Sequence, residues 1–204
     1  AILSKTNLHV NVVKGYTLPK NVTTKTLIVI TSVSGNTTET LEILKSAKKI
    51  GCNIIAFSSG GQIEKFCKKN KINFRKILEL NSPRASLVNY LYSMLNILEK
   101  NLPVKKSDIK DSIKKLEKTK ENIFSSNLTK TNVSLNLAYW ITDIPIIYYP
   151  WGLETAAIRF KNALQENAKI HAISEDVVET SHNGIVAWER KTIVQPILLQ
   201  GADD

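Results

Sequence analysis

The chain has 204 residues and a formal net charge of +10, from 28 Lys and Arg against 18 Asp and Glu. That length can bury one good core or two compact units, and no stretch is long and apolar enough to span a membrane. The lysines spread along helical faces, as in Lys45, Lys48, Lys49 and Lys68, Lys69, Lys71. No zinc-finger spacing, dinucleotide glycine set or aromatic-basic motif accompanies them, so no nucleic-acid partner is expected. Only Cys52 and Cys67 occur, without CxxC spacing. Two such thiols suggest structural cysteines in a reducing compartment, with a cytoplasmic location. The first eleven residues lack the basic region and long apolar run of a signal peptide.

Residues 26–31 predict a buried strand, since a continuous β-branched run suits a parallel sheet covered on both faces. Residues 38–49 predict a helix, with Leu41, Leu44, Ala47 and Lys48 three to four apart. Gly51 stops it, and residues 53–58 form the next strand. Gly60-Gly61 turns the chain into a short helix over 62–69. A third strand is expected at 75–80, then Ser82-Pro83-Arg84 and a helix over 86–100. Residues 102–131 are rich in Lys, Ser and Asn, and read as an amphipathic connecting helix followed by a loop. The pattern then partly returns, with helices over 134–141 and 155–167 and strands at 144–149, 169–173 and 193–199. Strand-helix alternation argues for α/β units with right-handed crossovers, as two related halves whose cleft lies between them or at the strand ends.

The residues that carry chemistry cluster at predicted strand ends. Ser32, Ser34 and Thr37 place three hydroxyls within six residues, and Gly35 permits a tight bend beside Asn36. Phosphate oxygens need several short-range donors and gain from amides at a helix start. A plain N-capped turn is the alternative for such a loop. Ser58, Ser59, Gly60 and Gly61 follow a second strand, and either line the same cleft or make a small-residue turn. Arg84 follows a third strand, as an oxyanion holder or a surface arginine after a proline turn. Arg159, Asn162 and Glu166 fall at i, i+3 and i+7 on one helical face, either a solvated face or one serving a cleft. Glu166 is the best candidate base. His182, beside Asn183, is its natural acid-base companion or an ordinary loop residue. No His, Cys and Asp set has metal-ligand spacing, so no metal is expected.

In order along the chain, the segments Gly15-Tyr16-Thr17-Leu18-Pro19, Ser32-Val33-Ser34-Gly35-Asn36-Thr37-Thr38-Glu39-Thr40-Leu41, Ser58-Ser59-Gly60-Gly61, Pro83-Arg84, Ala157-Ile158-Arg159-Phe160-Lys161, Gln165-Glu166-Asn167-Ala168-Lys169 and His182-Asn183 resemble the bifunctional phosphoglucose/phosphomannose isomerase family. That family lies within the sugar isomerase (SIS) domain class. The resemblance implies an α/β fold of two SIS-type three-layer αβα units with mainly parallel sheets, both incomplete here. The first would cover 1–103 and lack its first strand-helix unit, with the family's Gly-Gly-Ser segment. Residues 104–132 would connect it to the second, 133–204, which would lack its C-terminal helices. Gly184 and Gln165 replace a glutamate and an asparagine usual in the family.

The resemblance further implies aldose-ketose isomerisation of glucose 6-phosphate and fructose 6-phosphate, and also mannose 6-phosphate, through a cis-enediolate. The alternative is a non-catalytic sugar-phosphate-binding module or an inactive fragment. Ser32, Ser34 and Thr37 match the family's phosphate-binding residues, supported by Gly35, Asn36, Ser59, Gly60, Arg159 and Asn183. Arg84 matches the arginine that stabilises the enediolate, and Glu166 the base that moves the proton between C1 and C2. His182 matches the ring-opening histidine, contributed in the family by the neighbouring subunit, which implies a homodimer with a shared site; the resemblance also implies no cofactor.

Overall fold

Leu27–Ser32 forms strand β1 where a strand is expected, but Ile30 and Ser32 are buried while Leu27, Val29 and Thr31 are exposed, so the expected burial on both faces fails here. The computed structural model describes residues 6–80 and 82–201. Helix α1 is Thr38–Ile50, strand β2 Asn53–Ser58, helix α2 Gly61–Lys69 and strand β3 Asn73–Lys76. A 3₁₀ turn at Pro83–Ser86 runs directly into helix α3, Leu87–Ile97. Helix α4, Lys106–Ile123, buries none of its residues. The chain separates into two compact units, one ending at Ile109 and the other starting at Lys110, within α4.

In the first unit the sheet order is β1-β2-β3, all parallel. Register runs from Leu27 opposite Asn53 to Ser32 opposite Ser58, and from Ile55 opposite Asn73 to Ser58 opposite Lys76. The middle strand explains the layering, because successive strand side chains point to opposite faces. Ala56 joins Ile30, Leu41, Ile43, Leu44, Ile63 and Cys67 under α1 and α2. Its neighbours Ile55 and Phe57 join Ile77 and Tyr90, with Met94, Ile97 and Leu98 of α3 and its end packed against them. Helices therefore cover both faces, which is why β2 is apolar without alternation.

The second unit holds helix α5 (Val133–Trp140), strand β4 (Ile144–Tyr149), helix α6 (Glu154–Ala163), strand β5 (Ile173–Asp176), helix α7 (Val177–His182) and strand β6 (Val194–Leu198). Its sheet order is β5-β4-β6, again parallel. Pro145, Ile146 and Ile147 of the middle strand are buried. Among the described residues, no helix is long and apolar enough to cross a membrane.

Several boundaries depart from the expectation. The third strand ends at Lys76; the Ile77 amide still reaches the Ser58 carbonyl at 2.9 Å, and Leu78 to Leu80 then peel away exposed. The strand expected at 169–173 instead begins at Ile173, because Lys169 takes a left-handed backbone (φ 61°) that closes the preceding helix. That helix itself stops at Ala163 and passes into one π turn, Leu164–Ala168. Helix α7 went unread, although Asp176 caps it by accepting from the Val178 amide at 2.8 Å and the Glu179 amide at 3.2 Å. No strand forms in residues 6–26.

Candidate functional site

Parallel strands all end on the same edge of a sheet, so the β1–α1 and β2–α2 loops share one rim. The first loop is held by its own hydroxyls. Ser32, buried, is bonded to Thr37 through their hydroxyl oxygens at 2.8 Å, and its Oγ also accepts from the Gly35 amide at 3.2 Å. The Ser34 Oγ accepts from the Asn36 amide at 3.3 Å. Gly35 has φ 69°, and a side-chain carbon there would collide with the Gly60 carbonyl and lie 2.7 Å from Ser58 Oγ. Only glycine meets both demands.

The second loop locks onto the first. The Val33 carbonyl accepts from the Ser59 amide at 2.9 Å and from Ser59 Oγ at 2.7 Å. Ser58 Oγ donates to the Gly60 carbonyl at 2.6 Å and accepts from the Gly60 amide at 3.0 Å. Gly60 has no side chain to cap α2, so the cap comes from the other loop. Asn36 Oδ1 accepts from the Gln62 amide at 3.1 Å, and the Gly35 carbonyl from the Ile63 amide at 2.9 Å.

The two helix starts therefore differ. At α1 the Thr37 hydroxyl is engaged by Ser32 and makes no cap bond; the first amide to find a helical carbonyl is Leu41, at 3.0 Å from the Thr37 oxygen. Among the described residues, no acceptor meets the Thr38, Glu39 and Thr40 amides. Exposed Thr37 directly precedes them, and exposed Ser34 lies in the same loop. Amides without acceptors beside hydroxyls at a helix start suit an anion. Glu39, in that first turn, is engaged by the Tyr16 phenol, whose pKa the Glu39 charge raises, with burial adding to it.

Arg84 is exposed on the 3₁₀ turn of the same unit. Buried Ser86 fixes that turn by donating to the Ser82 carbonyl and accepting from the Leu80 amide, both at 3.1 Å. One turn further on, Tyr90 is 6% exposed and its hydroxyl lies 3.4 Å from the carbonyl oxygens of both Ser32 and Val33. Burial, and then the Glu79 carboxylate, push the phenol up to about 12, with the Ser59 amide partly opposing them. The group thus stays a donor. Sequence reasoning missed Tyr90, because an aromatic at helical spacing signals only core, and its partners lie 57 and 58 residues away.

The second-unit candidates stand on separate elements. Half-buried Arg159 and exposed Asn162 lie on α6, while exposed Glu166 lies on the π turn. The regular helical period ends before Glu166, so the expected i, i+3, i+7 face is broken there. A π turn carries an extra residue per turn, a feature frequent at functional positions. Lys169 Nζ donates back to the Glu166 carbonyl at 2.7 Å. His182 ends α7 as an exposed helical residue, and Asn183 Nδ2 donates to Glu179 Oε1 at 2.8 Å. The structure therefore brings Ser32, Ser34, Gly35, Asn36, Thr37, Ser59 and Gly60 into one knot, places Arg84 on a neighbouring turn, and sets Arg159, Glu166 and the His182-Asn183 pair on separate elements. Among the described residues, no group of three His, Cys, Asp or Glu side chains could hold a metal ion.

Residues 130–204 match the family model of the bacterial phospho-glucose isomerase C-terminal SIS domain. The chain is 33% identical over 193 residues to a bifunctional phosphoglucose/phosphomannose isomerase of Caldicellulosiruptor bescii, covering 92% of this chain and 57% of that relative. It is 31% identical over 170 residues to a D-glucosamine-6-phosphate 4-epimerase of Sulfolobus acidocaldarius, covering 81% of this chain and 52% of the relative. Among solved structures, the C-terminal domain of glucosamine-fructose-6-phosphate aminotransferase from Francisella tularensis has a TM-score of 0.60 at 21% identity, over 91% of this chain and 55% of that one. The last likeness concerns the fold. The chain spans about half the length of the curated relatives it matches.

Proposed function

We propose, for a chain that belongs to the bifunctional phosphoglucose/phosphomannose isomerase family, a sugar-phosphate aldose-ketose isomerase function. The observation that carries it is the β1–α1 loop, where exposed Ser34 and Thr37 lead into three α1 amides that meet no acceptor among the described residues. The donor set fits a phosphate dianion, and the remote phosphate supplies binding energy that positions the reacting carbons.

The substrates in this reading are glucose 6-phosphate and fructose 6-phosphate, with mannose 6-phosphate as a further one. His182 assists opening of the sugar ring, from the neighbouring subunit of a homodimer. Glu166 takes the proton from C2 of the open aldose, and the electron pair left behind forms the enediolate. The O2 hydroxyl proton passes to O1, and the same carboxyl returns its proton to C1 as the C2–O bond becomes the carbonyl, leaving the ketose. Arg84 holds charge on the enediolate oxygens, where preorganised donors contribute most to rate. Residues 1–103 and 133–204 act as the two SIS-type domains around the 104–132 connection, in the cytoplasm. Exposed Tyr139, Trp151, Ile185 and Val186 of the second unit favour a partner subunit.

Conversion of fructose 6-phosphate to glucose 6-phosphate by the chain, with Glu166→Gln alongside, tests this reading. The expected result is a loss of about a thousandfold in turnover in the variant, with fructose 6-phosphate affinity kept within about twofold. Near-normal turnover in Glu166→Gln would overturn the mechanism.

A further inference from the structure

We propose that Tyr90 is a positioning residue whose hydroxyl fixes the Ser32-Val33 peptide and so sets the grip of the first loop on phosphate. The inference rests on the phosphate reading of that loop. The ring is anchored in the cluster of Ile55, Phe57 and Ile77, and only its hydroxyl reaches the rim, 3.4 Å from the Ser32 and Val33 carbonyl oxygens.

The position of those two carbonyls matters for everything downstream. Ser32 carries the Oγ that receives the Gly35 amide and bonds Thr37. The Val33 carbonyl is shared, since the Ser59 amide and hydroxyl also donate to it. Three elements thus meet at one oxygen: the first loop, the second loop and α3. Because α3 continues without a break from the turn that carries Arg84, the phenol also ties the height of that turn to the phosphate loop. Removing the hydroxyl keeps the ring in the core and frees the Ser32-Val33 peptide from α3. Ser34 and Thr37 then sample positions further from any bound oxygen.

Two measurements on Tyr90→Phe test this in the full chain: amide hydrogen exchange along residues 33–36 without ligand, and the Kd for fructose 6-phosphate. The hydrogen bond predicts exchange at the Gly35 and Asn36 amides faster by about fivefold, with no matching change at Leu44 in the core of α1, and a Kd weaker by about fivefold. In turnover the effect appears in KM rather than kcat. Unchanged exchange and an unchanged Kd would overturn the tether and leave the phosphate reading standing. Faster local exchange in the variant, with no sugar-phosphate binding by the unmodified chain, would overturn the phosphate reading and with it the grip assigned to Tyr90. A uniform rise in exchange that includes Leu44 would mean a structural role only and would also overturn the proposal.

Discussion

After β1 the chain reaches α1 through Ser32, Val33, Ser34, Gly35, Asn36 and Thr37; after β4 it reaches α6 through Pro150, Trp151, Gly152 and Leu153. The frame is the same in both units, a strand of a parallel sheet feeding a helix. Neither helix start receives a side-chain cap from its own N-cap residue. What differs is the side chains. The first turn carries four hydroxyl or amide groups, bonded to each other and to the second loop, while the second exposes Trp151 and is closed by one turn bond, Leu153 amide to Pro150 carbonyl at 3.1 Å. Topology supplies helix amides at both places, and hydroxyls at only one. An uncapped helix start is therefore a weak signal by itself, and the hydroxyl cluster beside it makes the first turn the candidate phosphate site.

Packing separates the two turns as well, and paired glycine substitutions expose it. Gly35 has φ 69° and faces the Gly60 carbonyl and Ser58 Oγ, whereas Gly152 has φ 93° and open space around a would-be side chain. Gly35→Ala is expected to cost about 3 kcal/mol or more, from backbone strain together with the collision. Gly152→Ala should cost about 1 kcal/mol, from backbone strain alone. Denaturant unfolding of both variants reads the difference, and equal losses would break the contrast. A smaller effect follows from the cross-loop cap. Asn36→Ala removes the acceptor of the Gln62 amide and should lower stability by about 1 kcal/mol. Chemical denaturation checks it, and no loss would mean that the α2 start is held by the Gly35 carbonyl alone.

The same contrast marks what the sequence could convey. Residues 53–58 were legible because their apolar run buries on both faces, and 27–32 as a strand although Leu27, Val29 and Thr31 are exposed; the knot at their ends was legible as hydroxyls grouped around Gly35. The bonds that build the knot were not. Nothing near Asn36 in sequence indicates that it caps a helix 26 residues away. Tyr90 was not singled out, since its ring is core and only its hydroxyl has another task. In the second unit the sequence singles out Glu166 but not the π turn that carries it, because a helical period gives no sign of where it will be interrupted. Strand β5 was misplaced: the expected strand stopped at Ile173, yet Glu175 and Asp176 pair with Tyr148 and Tyr149. The Asp176 to Glu179 spacing resembles a capping box and could have revealed α7.

The most direct test of the account is the titration of the chain and of Ser34→Ala with fructose 6-phosphate by calorimetry. The account predicts saturable binding with one site per chain, weakened by about tenfold in the variant through loss of one hydroxyl donor to a charged oxygen. Saturable binding that is equally strong in Ser34→Ala, or no binding by the unmodified chain, would contradict it.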